Sequence, residues 1–253
     1  MSFTDDELAR YARHIVLREF GGGAQARLSA ATVAVVGAGG IGSPAIQYLA
    51  GAGVGRLILI DDDRVDASNL HRQTIYGTND AGALKVEAAR AAVARLNPHV
   101  GVECRAVRID AGNAAALLAG VGAVIDGSDD FGTRLAVADA ALAMRIPLVS
   151  AAVAQFEGQL AVYRGWEAGR PCYRCFVGGA PARPGGSCAE DGVLGPAAGV
   201  LGSLAALEAI RAVAPFGDDP AGKLVLVDLL ALRFRTLALP KDPGCPACGS
   251  PLA

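Results

Sequence analysis

The sequence lacks an excess of charge of either sign. Its 253 residues include 23 Lys and Arg against 25 Asp and Glu, which leaves a formal net charge of -2. Binding to DNA or RNA usually requires a basic face, so this balance argues against a nucleic-acid partner. Hydrophobic residues nevertheless make up 52% of the chain and charged residues 19%, a composition that supports a sizeable core. We therefore expect a globular domain with a sizeable hydrophobic core.

The sequence also lacks a long uninterrupted hydrophobic run. The longest apolar stretch, Val193 to Leu207, is interrupted by Pro196, Gly199 and Gly202 and is shorter than the ~18 residues of a membrane span. It predicts a buried helix, with a subunit interface as one possible place for it. The first residues, Met1 to Arg10, carry acids and no apolar segment of the kind found in secretory signals. We expect a cytoplasmic protein with no membrane partner.

Short β-branched runs alternate with helical patterns through the first half of the chain. The alternation predicts a parallel, doubly wound, Rossmann-like α/β sheet. After about Ala151 the strand-like runs follow one another directly, which favours an antiparallel extension. The predicted strands are Ala31–Val36, Arg56–Ile60, Val100–Ile109, Ala123–Ile125, Pro147–Ser150, Gln159–Tyr163, Leu224–Val227 and Phe234–Leu239. The predicted helices include Asp5–Glu19, Ala81–Leu96 and Phe131–Met144.

We expect residues 1–253 to form one domain, with a nucleotide-binding half over 1–150 and a second half over 151–253. The segment Gly178 to Gly192 is rich in Gly, Pro and Ala and has no apolar period, so it is predicted to be a mobile loop. It contains Cys188.

A glycine motif marks a nucleotide site. Gly37, Gly39 and Gly42 form G-x-G-x-x-G between a predicted strand and a predicted helix. Glycine at these positions lets the backbone approach a phosphate, and the free N–H groups of the helix face the anion. Asp61 ends the next strand, where it can accept hydrogen bonds from ribose hydroxyls. The motif by itself does not separate NAD from ATP.

Charged residues follow several strand ends and favour phosphate chemistry. They are Asp61, Asp62 and Asp63, then the run Ser68-Asn69-Leu70-His71-Arg72-Gln73, then Lys85, and finally Asp126, Asp129 and Asp130. The carboxyl ends of parallel strands meet at one edge of the sheet, so we expect these residues to lie near Gly39. Hydride transfer needs little cationic charge, whereas adenylation needs cations for a triphosphate and carboxylates for Mg²⁺.

Four of the six cysteines form two C-x-x-C knuckles, Cys172/Cys175 and Cys245/Cys248. Four thiolates are a typical donor set for tetrahedral structural zinc. A redox pair and two disulfides are the alternatives, although the neighbouring prolines favour turns over the helix that follows a redox C-x-x-C. Cys104 lies within an alternating strand and is predicted to be a small hydrophobic core residue.

The chain resembles the MoeB/ThiF family of adenylyltransferases from about Glu7 to Gly249. Four motifs carry the resemblance: Arg10-Tyr11-Ala12-Arg13-His14, Val36-Gly37-Ala38-Gly39-Gly40-Ile41-Gly42, Ser68-Asn69-Leu70-His71-Arg72-Gln73 and Cys172-Tyr173-Arg174-Cys175. It departs from the family pattern at His71, where Gln is usual, and at Asp130, where Asn is usual. Asp130 could add negative charge near Mg²⁺ or cap the following helix, and His71 is expected to be structural or peripheral.

The resemblance implies roles for individual residues. Gly40 would lie at the phosphates of ATP, Asp61 would hold the ribose, and Asp129 would bind Mg²⁺. Asn69, Arg72 and Lys85 would contact the triphosphate, while Arg13 would reach the phosphates bound by the neighbouring protomer of a homodimer. Asp63, Ser68 and Asp130 complete the candidate nucleotide-binding residues. Cys188 corresponds to a cysteine that links covalently to the carrier in some relatives, and its role here is open.

The resemblance also implies the reaction: ATP would adenylate the C-terminal carboxylate of a small ubiquitin-like sulfur carrier ending in Gly-Gly. The second half of the chain would bind the carrier and be stapled by zinc. A separate sulfur donor is expected, because nothing after Gly249 could form a rhodanese domain. The carrier, and with it a molybdopterin or thiamine pathway, is not identified by the sequence. A nicotinamide-dependent oxidoreductase and a catalytically silent nucleotide-binding scaffold remain as alternatives.

Overall fold

The computed structural model describes residues 3–179 and 192–249. One eight-stranded sheet runs through it in the order β3-β2-β1-β4-β5-β6-β7-β8. The first five strands are β1 (Thr32–Val36), β2 (Arg56–Ile60), β3 (Gly101–Arg105), β4 (Ala123–Asp126) and β5 (Leu148–Ala154). The last three are β6 (Glu157–Tyr163), β7 (Lys223–Asp228) and β8 (Arg233–Ala238). Neighbouring strands pair in parallel from β3 to β5 and antiparallel from β5 to β8. The predicted mixed sheet is thus confirmed.

Helices cover both faces of this sheet. They are α1 (Asp5–Ile15), α2 (Gly21–Ala30), α3 (Gly42–Ala52), α4 (Lys85–Leu96), α5 (Ala114–Leu117), α6 (Phe131–Met144), α7 (Tyr173–Val177) and α8 (Gly195–Val213). Successive side chains of a strand point to opposite faces. Accordingly Val33 and Val35 of β1 belong to one core cluster, whereas Ala34 and Val36 belong to the other. The two buried faces explain why β1 is apolar at nearly every position.

The apolar stretch predicted to be a buried helix forms α8. By length and composition it is the one helix among the described residues that could span a membrane. Its face of small residues, including Ala198, Ala205 and Ala209, is buried, and the helix contacts α3, β5 and β6. Gly202 lies so close to α3 that an added Cβ would be 2.3 Å from the carbonyl oxygen of Ile41. The helix therefore packs in the core, and its small residues allow a close approach.

Several predicted boundaries were wrong. The leading helix ends at Ile15, and α2 was not predicted because it begins with three glycines. α4 begins at Lys85 instead of Ala81, since Gly82 has φ +84° and interrupts a helix. β3 is shorter than Val100–Ile109, and β5 continues to Ala154 along β6. The segment predicted to be a mobile loop, with Cys188, lies almost entirely outside the described residues.

Candidate nucleotide pocket and cysteine cluster

A pocket of about 390 Å³ opens at the carboxyl ends of β1, β2 and β4. This is the edge at which a doubly wound sheet binds its ligands. Most candidate residues line it, namely Gly37, Gly39, Gly40, Asp61, Asp63, Asn69, Arg72, Lys85, Asp129 and Asp130. Gly42, Ser68, Asp126 and Arg13 do not line it. The structure therefore brings together residues spread over about 90 positions of sequence, as the strand-end argument predicted.

The glycine turn after β1 is shaped by its own backbone. Gly37 has φ +82°, and a Cβ on Gly42 would lie 1.9 Å from the carbonyl oxygen of Gly37. Both positions therefore require glycine for the turn itself. Gly40 lines the pocket, and a Cβ there would meet the Cβ of Ala198 at 3.2 Å. The turn thus leaves backbone, not side chains, facing the space where a phosphate would bind.

Asp61 is held in place by backbone donors at the end of β2. Its carboxylate accepts hydrogen bonds from the N–H of Ala38 at 2.7 Å and of Asp63 at 2.8 Å. Burial raises the pKa of the Asp61 carboxyl, against the opposing effects of nearby Lys85 and of these hydrogen bonds. The carboxylate is therefore fixed between Ala38 of the glycine turn and Asp63. At this position it could accept hydrogen bonds from a ribose.

Two cations approach the same pocket. Lys85 is the first residue of α4, is only 4% exposed, and places its Nζ 2.6 Å from a carboxylate oxygen of Asp63. Arg72 follows the short 3₁₀ turn Ala67–Asn69 and lies 2.9 Å from the imidazole Nε2 of the exposed His71. His71 does not line the pocket, in keeping with a peripheral place. The ammonium and guanidinium groups can both offset phosphate charge.

Ser68 contributes to the shape of this turn. The Asp66 carboxylate accepts hydrogen bonds from the backbone N–H of Ser68 at 2.7 Å and from its hydroxyl at 2.6 Å. Asp66 caps the 3₁₀ turn in this way, and Asn69 is thereby presented to the pocket.

The two acids after β4 differ in their partners. Asp129 is exposed in the pocket wall and forms no hydrogen bond or ion pair with other described residues. Asp130 caps α6 through the N–H of Thr133 at 2.8 Å and faces Arg108 at 3.2 Å. The hydrogen bond from Thr133 is the main reason that the pKa of Asp130 is lowered. The predicted capping role of Asp130 is confirmed, and Asp129 retains oxygens that can coordinate a cation.

Asp126, the last residue of β4, lies beneath the pocket instead of in its wall. It is completely buried, and one of its oxygens accepts hydrogen bonds from the N–H and the hydroxyl of Ser128. Its negative charge raises the pKa of the buried Arg134 guanidinium although burial alone would lower it. Asp126 thus supports the loop that carries Asp129.

Several pocket residues were not assigned a role from the sequence, among them Gln73, Arg108 and Arg134. Gln73 is 4% exposed and its side-chain carbonyl oxygen has no hydrogen-bond partner among the described residues. Arg134, one turn into α6, donates to the backbone carbonyls of Ser128 and Ala151. Gln73 ends the Ser68 to Gln73 motif, which was the available signal. Arg108 lies after a strand whose end was misplaced, so its position could not be inferred.

The four knuckle cysteines converge between α7 and the C-terminal turn. All their sulfur atoms lie within 4.8 Å of one another. Individual separations are 3.9 Å for Cys172 to Cys175, 3.6 Å for Cys172 to Cys245 and 3.4 Å for Cys175 to Cys248. A tetrahedral site with metal–sulfur bonds of about 2.3 Å has sulfur–sulfur edges of about 3.8 Å. These thiols are too far apart for disulfide bonds, which measure about 2.05 Å. The cluster can therefore bind a metal ion.

Cys104 is separate from this cluster. It is half-buried, and its thiol donates to the carbonyl of Val86 at 3.1 Å. Burial raises the pKa of the Cys104 thiol to about 11, so this residue packs against the core as an unreactive thiol.

The ThiF family model matches residues 11–247 of the chain. The chain is 46% identical to the sulfur carrier protein adenylyltransferase of Thermus thermophilus, covering 98% of this chain and 93% of the relative. It is 42% identical to the molybdopterin-synthase adenylyltransferase of Escherichia coli, covering 97% and 98%. The solved structure of E. coli MccB with ATP superposes with a TM-score of 0.78 at 22% identity over 90% of this chain and 69% of that one, a likeness of fold.

Proposed function

The chain belongs to the ThiF family, and on this premise we propose that it uses ATP to adenylate the C-terminal glycine carboxylate of a ubiquitin-like sulfur-carrier protein. The observation that carries the proposal is the pocket itself. It combines the glycine turn at Gly40, the fixed acceptor Asp61, the cations Arg72 and Lys85, and the exposed carboxylate of Asp129. A hydride-transfer site has no need for the last three groups, so the pocket favours the adenylyltransferase over the oxidoreductase.

In this reaction a carboxylate oxygen of the carrier attacks the α-phosphorus of ATP. The bond from that phosphorus to the oxygen bridging the α- and β-phosphates breaks, and pyrophosphate leaves with the electron pair. Both reactants are anions, so the protein accelerates the step mainly by aligning them and offsetting charge. No side-chain nucleophile is required. The product is an acyl adenylate whose acyl carbon is open to a separate sulfur donor.

Each pocket residue has a place in this scheme. Gly40 allows the phosphates to approach the backbone, and Asp61 accepts hydrogen bonds from the ribose. Asn69, Arg72 and Lys85 contact the triphosphate, with Ser68 shaping their turn and Asp63 holding Lys85. Asp129 suits Mg²⁺ because its oxygens accept no hydrogen bond from the described residues, and hard oxygen ligands are those that Mg²⁺ prefers. When bound, Mg²⁺ offsets the charge of the phosphates.

The cysteine cluster is proposed to hold structural zinc. Four sulfur ligands fill a tetrahedral site and leave no position for water, so this ion would connect the C-terminal turn to α7 without taking part in the reaction. Burial raises the pKa of the Cys172 thiol, and a divalent ion would favour the thiolate. The donor set and the sulfur spacing both support zinc.

A homodimer with shared sites is the proposed assembly. Arg13 is exposed and forms no hydrogen bond or ion pair with the described residues, and its helix α1 packs at the C-terminal end of α3. The pocket lies at the other end of α3, and an 11-residue helix is about 16 Å long. Arg13 is therefore remote from the pocket of its own chain, which supports a role in the pocket of a second copy.

The proposed partner is a sulfur-carrier protein, as the name of the Thermus thermophilus relative suggests, and the family resemblance implies that this carrier ends in Gly-Gly. The candidates are molybdopterin-type and thiamine-type carriers. The sequence does not separate them, because specificity lies in the surface of the partner. The second half of the chain is proposed to bind it, within one domain of residues 1–253 that acts in the cytoplasm. Cys188, outside the described residues, is proposed to serve only a later thiol step, so Cys188→Ala should retain pyrophosphate exchange.

Carrier-dependent ATP–pyrophosphate exchange tests the function. Purified protein should exchange labelled pyrophosphate into ATP with at least one Gly-Gly carrier from a panel, and not with the same carrier lacking its final glycine. ATP binding without exchange across the whole panel would favour the silent scaffold. A fluorescence change on titration with reduced nicotinamide, together with no exchange, would favour the oxidoreductase.

A further inference from the structure

Two buried amide side chains attach α1 to the last turn of α3. Asn97 is fully buried, and its Nδ2 donates to the hydroxyl of Tyr11 at 2.9 Å and to the carbonyl of Ala50 at 2.8 Å. Gln25 is also fully buried, and its Nε2 donates to the carbonyl of Ala52 at 2.9 Å. The other end of that amide, Oε1, lies 3.1 Å from Nδ1 of His14. Each amide thus contacts α1 on one side and α3 on the other.

Tyr11 fixes the same junction by packing. Its side chain is 2% exposed, and a Cβ on Gly53 would lie 2.3 Å from its Cζ atom. Gly53 has φ +82° and ends α3, so the ring occupies space that only a glycine in this conformation leaves. Protein interiors are close-packed, so small displacements of a buried side chain meet neighbouring atoms. The packing against Gly53 therefore restricts where Tyr11 can lie on α3.

Two further polar contacts of α1 are exposed. Arg10 donates to the carbonyl of Leu96 at 3.0 Å, and His99 lies 2.7 Å from a carboxylate oxygen of Asp6. Exposed contacts of this kind contribute little to stability. We therefore attribute the orientation of the helix mainly to the buried contacts of Tyr11, Asn97 and Gln25.

We propose that Asn97, Gln25 and Tyr11 are positioning residues that aim Arg13 at the nucleotide site of a second copy of the chain. The proposal rests on the proposed function and its shared site. Arg13 follows Tyr11 by two residues, which turns it about 200° around the helix and away from the buried side. With Tyr11 locked, Arg13 projects outward at a fixed height and angle. A displacement of about 1 Å at a reacting centre can cost ~10²-fold in rate.

Mixed dimers separate positioning from general stability. In a mixed dimer the Arg13→Ala and Asp129→Ala lesions both fall in the same site, so the other site is intact. With random reassociation half the dimers are mixed, and exchange activity should recover to about a quarter of wild type. Each pair of variants is unfolded and refolded together, and mixed dimers are verified by two affinity tags. No recovery in verified mixed dimers would overturn the shared site, and with it this proposal, while wild-type exchange would still stand.

Asn97→Ala should behave as an Arg13 lesion. We expect its homodimer to lose at least 10-fold in exchange, to recover when mixed with Asp129→Ala, and not to recover when mixed with Arg13→Ala. Ser29→Ala is the matched control, because the Ser29 hydroxyl donates to Gly53 at the same turn of α3 without touching α1. The control should keep near wild-type exchange.

A milder variant keeps the test decisive if Asn97→Ala does not fold. Tyr11→Phe retains the ring and removes only the hydroxyl that Asn97 binds, and it should show a smaller loss with the same mixing pattern. Circular dichroism must show folded protein at the assay temperature. Full activity of both folded variants, or recovery of either with Arg13→Ala, would overturn the positioning role.

Discussion

The nucleotide pocket and the cysteine cluster differ in whether their side chains remain available to bind a substrate. The pocket is lined by Asp129 and Gln73, among others, and the side-chain oxygens of these two have no hydrogen-bond partner in the part of the chain that the structure describes. In the cluster each sulfur lies within 4.8 Å of three others, so a bound ion would be saturated by protein ligands. The first arrangement can accept a substrate and the second cannot. Damage to the pocket should therefore affect activity, and damage to the cluster should affect stability.

The largest expected effect is on the activity side. Asp129→Asn keeps the side-chain volume and removes the charge that would hold Mg²⁺, so pyrophosphate exchange should fall by ~10²-fold or more. The melting temperature should change little, because Asp129 is exposed and forms no hydrogen bond or ion pair within residues 3–179 and 192–249. The measurement is exchange at saturating Mg²⁺, with thermal unfolding run in parallel.

Asp62→Asn is the matched control for this variant. Asp62 also lines the pocket, beside Asp61 and Asp63, whose carboxylates come close enough to form an alternative cation site. We expect the control to lose less than about 5-fold in exchange. The opposite result would be a loss of ~10²-fold in Asp62→Asn with Asp129→Asn still active. It would place the metal at Asp61, Asp62 and Asp63 after β2.

Lys85 tests the comparison from inside the pocket, with the next largest effect. Lys85→Met keeps the buried aliphatic stem and removes the ammonium, so exchange should fall by at least ~10-fold through loss of a phosphate contact. Asp63 loses its partner but is exposed to solvent. The free energy of unfolding should therefore stay within about 1 kcal/mol of the wild-type value. A large drop in stability with unchanged exchange would make Lys85 a structural residue and contradict its assignment.

The cysteine cluster should show the reverse pattern. Cys245→Ser removes one of four sulfur ligands, and we expect loss of bound zinc and a destabilisation of about 2 kcal/mol or more. For a chain of this size that corresponds to a fall of about 4–8 °C in melting temperature. Exchange measured well below the new melting temperature should remain. Zinc content by mass spectrometry of the native protein provides the direct measurement.

Cys104→Ser controls for the general loss of a thiol, since Cys104 lies outside the cluster. It should keep all of its zinc and lose less stability than Cys245→Ser. A native protein that is stable and free of zinc would contradict the structural-metal assignment.

The sequence predicts some of these features and misses others, for physical reasons. The knuckle spacing of Cys172 and Cys175 identifies a ligand pair locally, and strand order alone predicts that Asp61 and Asp129 meet at one edge. α2 was not predictable from local propensity, because Gly21 opens a glycine-rich segment that becomes helical through burial of Gln25 and Leu28. Its tertiary contacts override the intrinsic preference of its residues.

The unpredicted parts of the site follow from the same limit. Arg108 could not be placed because β3 ends at Arg105, and the chain then leaves the sheet toward the pocket. The anchoring amides were not anticipated either, since the pairing of Asn97 with Tyr11 spans 86 positions of sequence. Contacts of this range depend on how helices pack, which periodicity does not specify.

The smallest expected effect concerns the ion pair at the rim of the pocket. Arg108 and Asp130 approach to 3.2 Å, with side chains 64% and 46% exposed. An exposed pair of this kind contributes at most about 1 kcal/mol to stability. Its charges nevertheless border the pocket, where a triphosphate would add a high negative charge.

Asp130→Asn would restore the usual family residue and separate the two roles of this position. Asparagine also caps helices well, so the bond from Thr133 should persist and the melting temperature should change by less than about 2 °C. Arg108 would lose its compensating charge, and the KM for ATP should therefore fall by about 2–5-fold at low ionic strength, with the effect shrinking as salt is added. Arg108→Gln should raise the KM by a similar factor, while the double variant should return close to wild type because the pair is removed together. A KM that rises in Asp130→Asn, or that changes equally at high salt, would show that the carboxylate of Asp130 contacts the metal or the nucleotide directly, and the pocket would then need both of its acids.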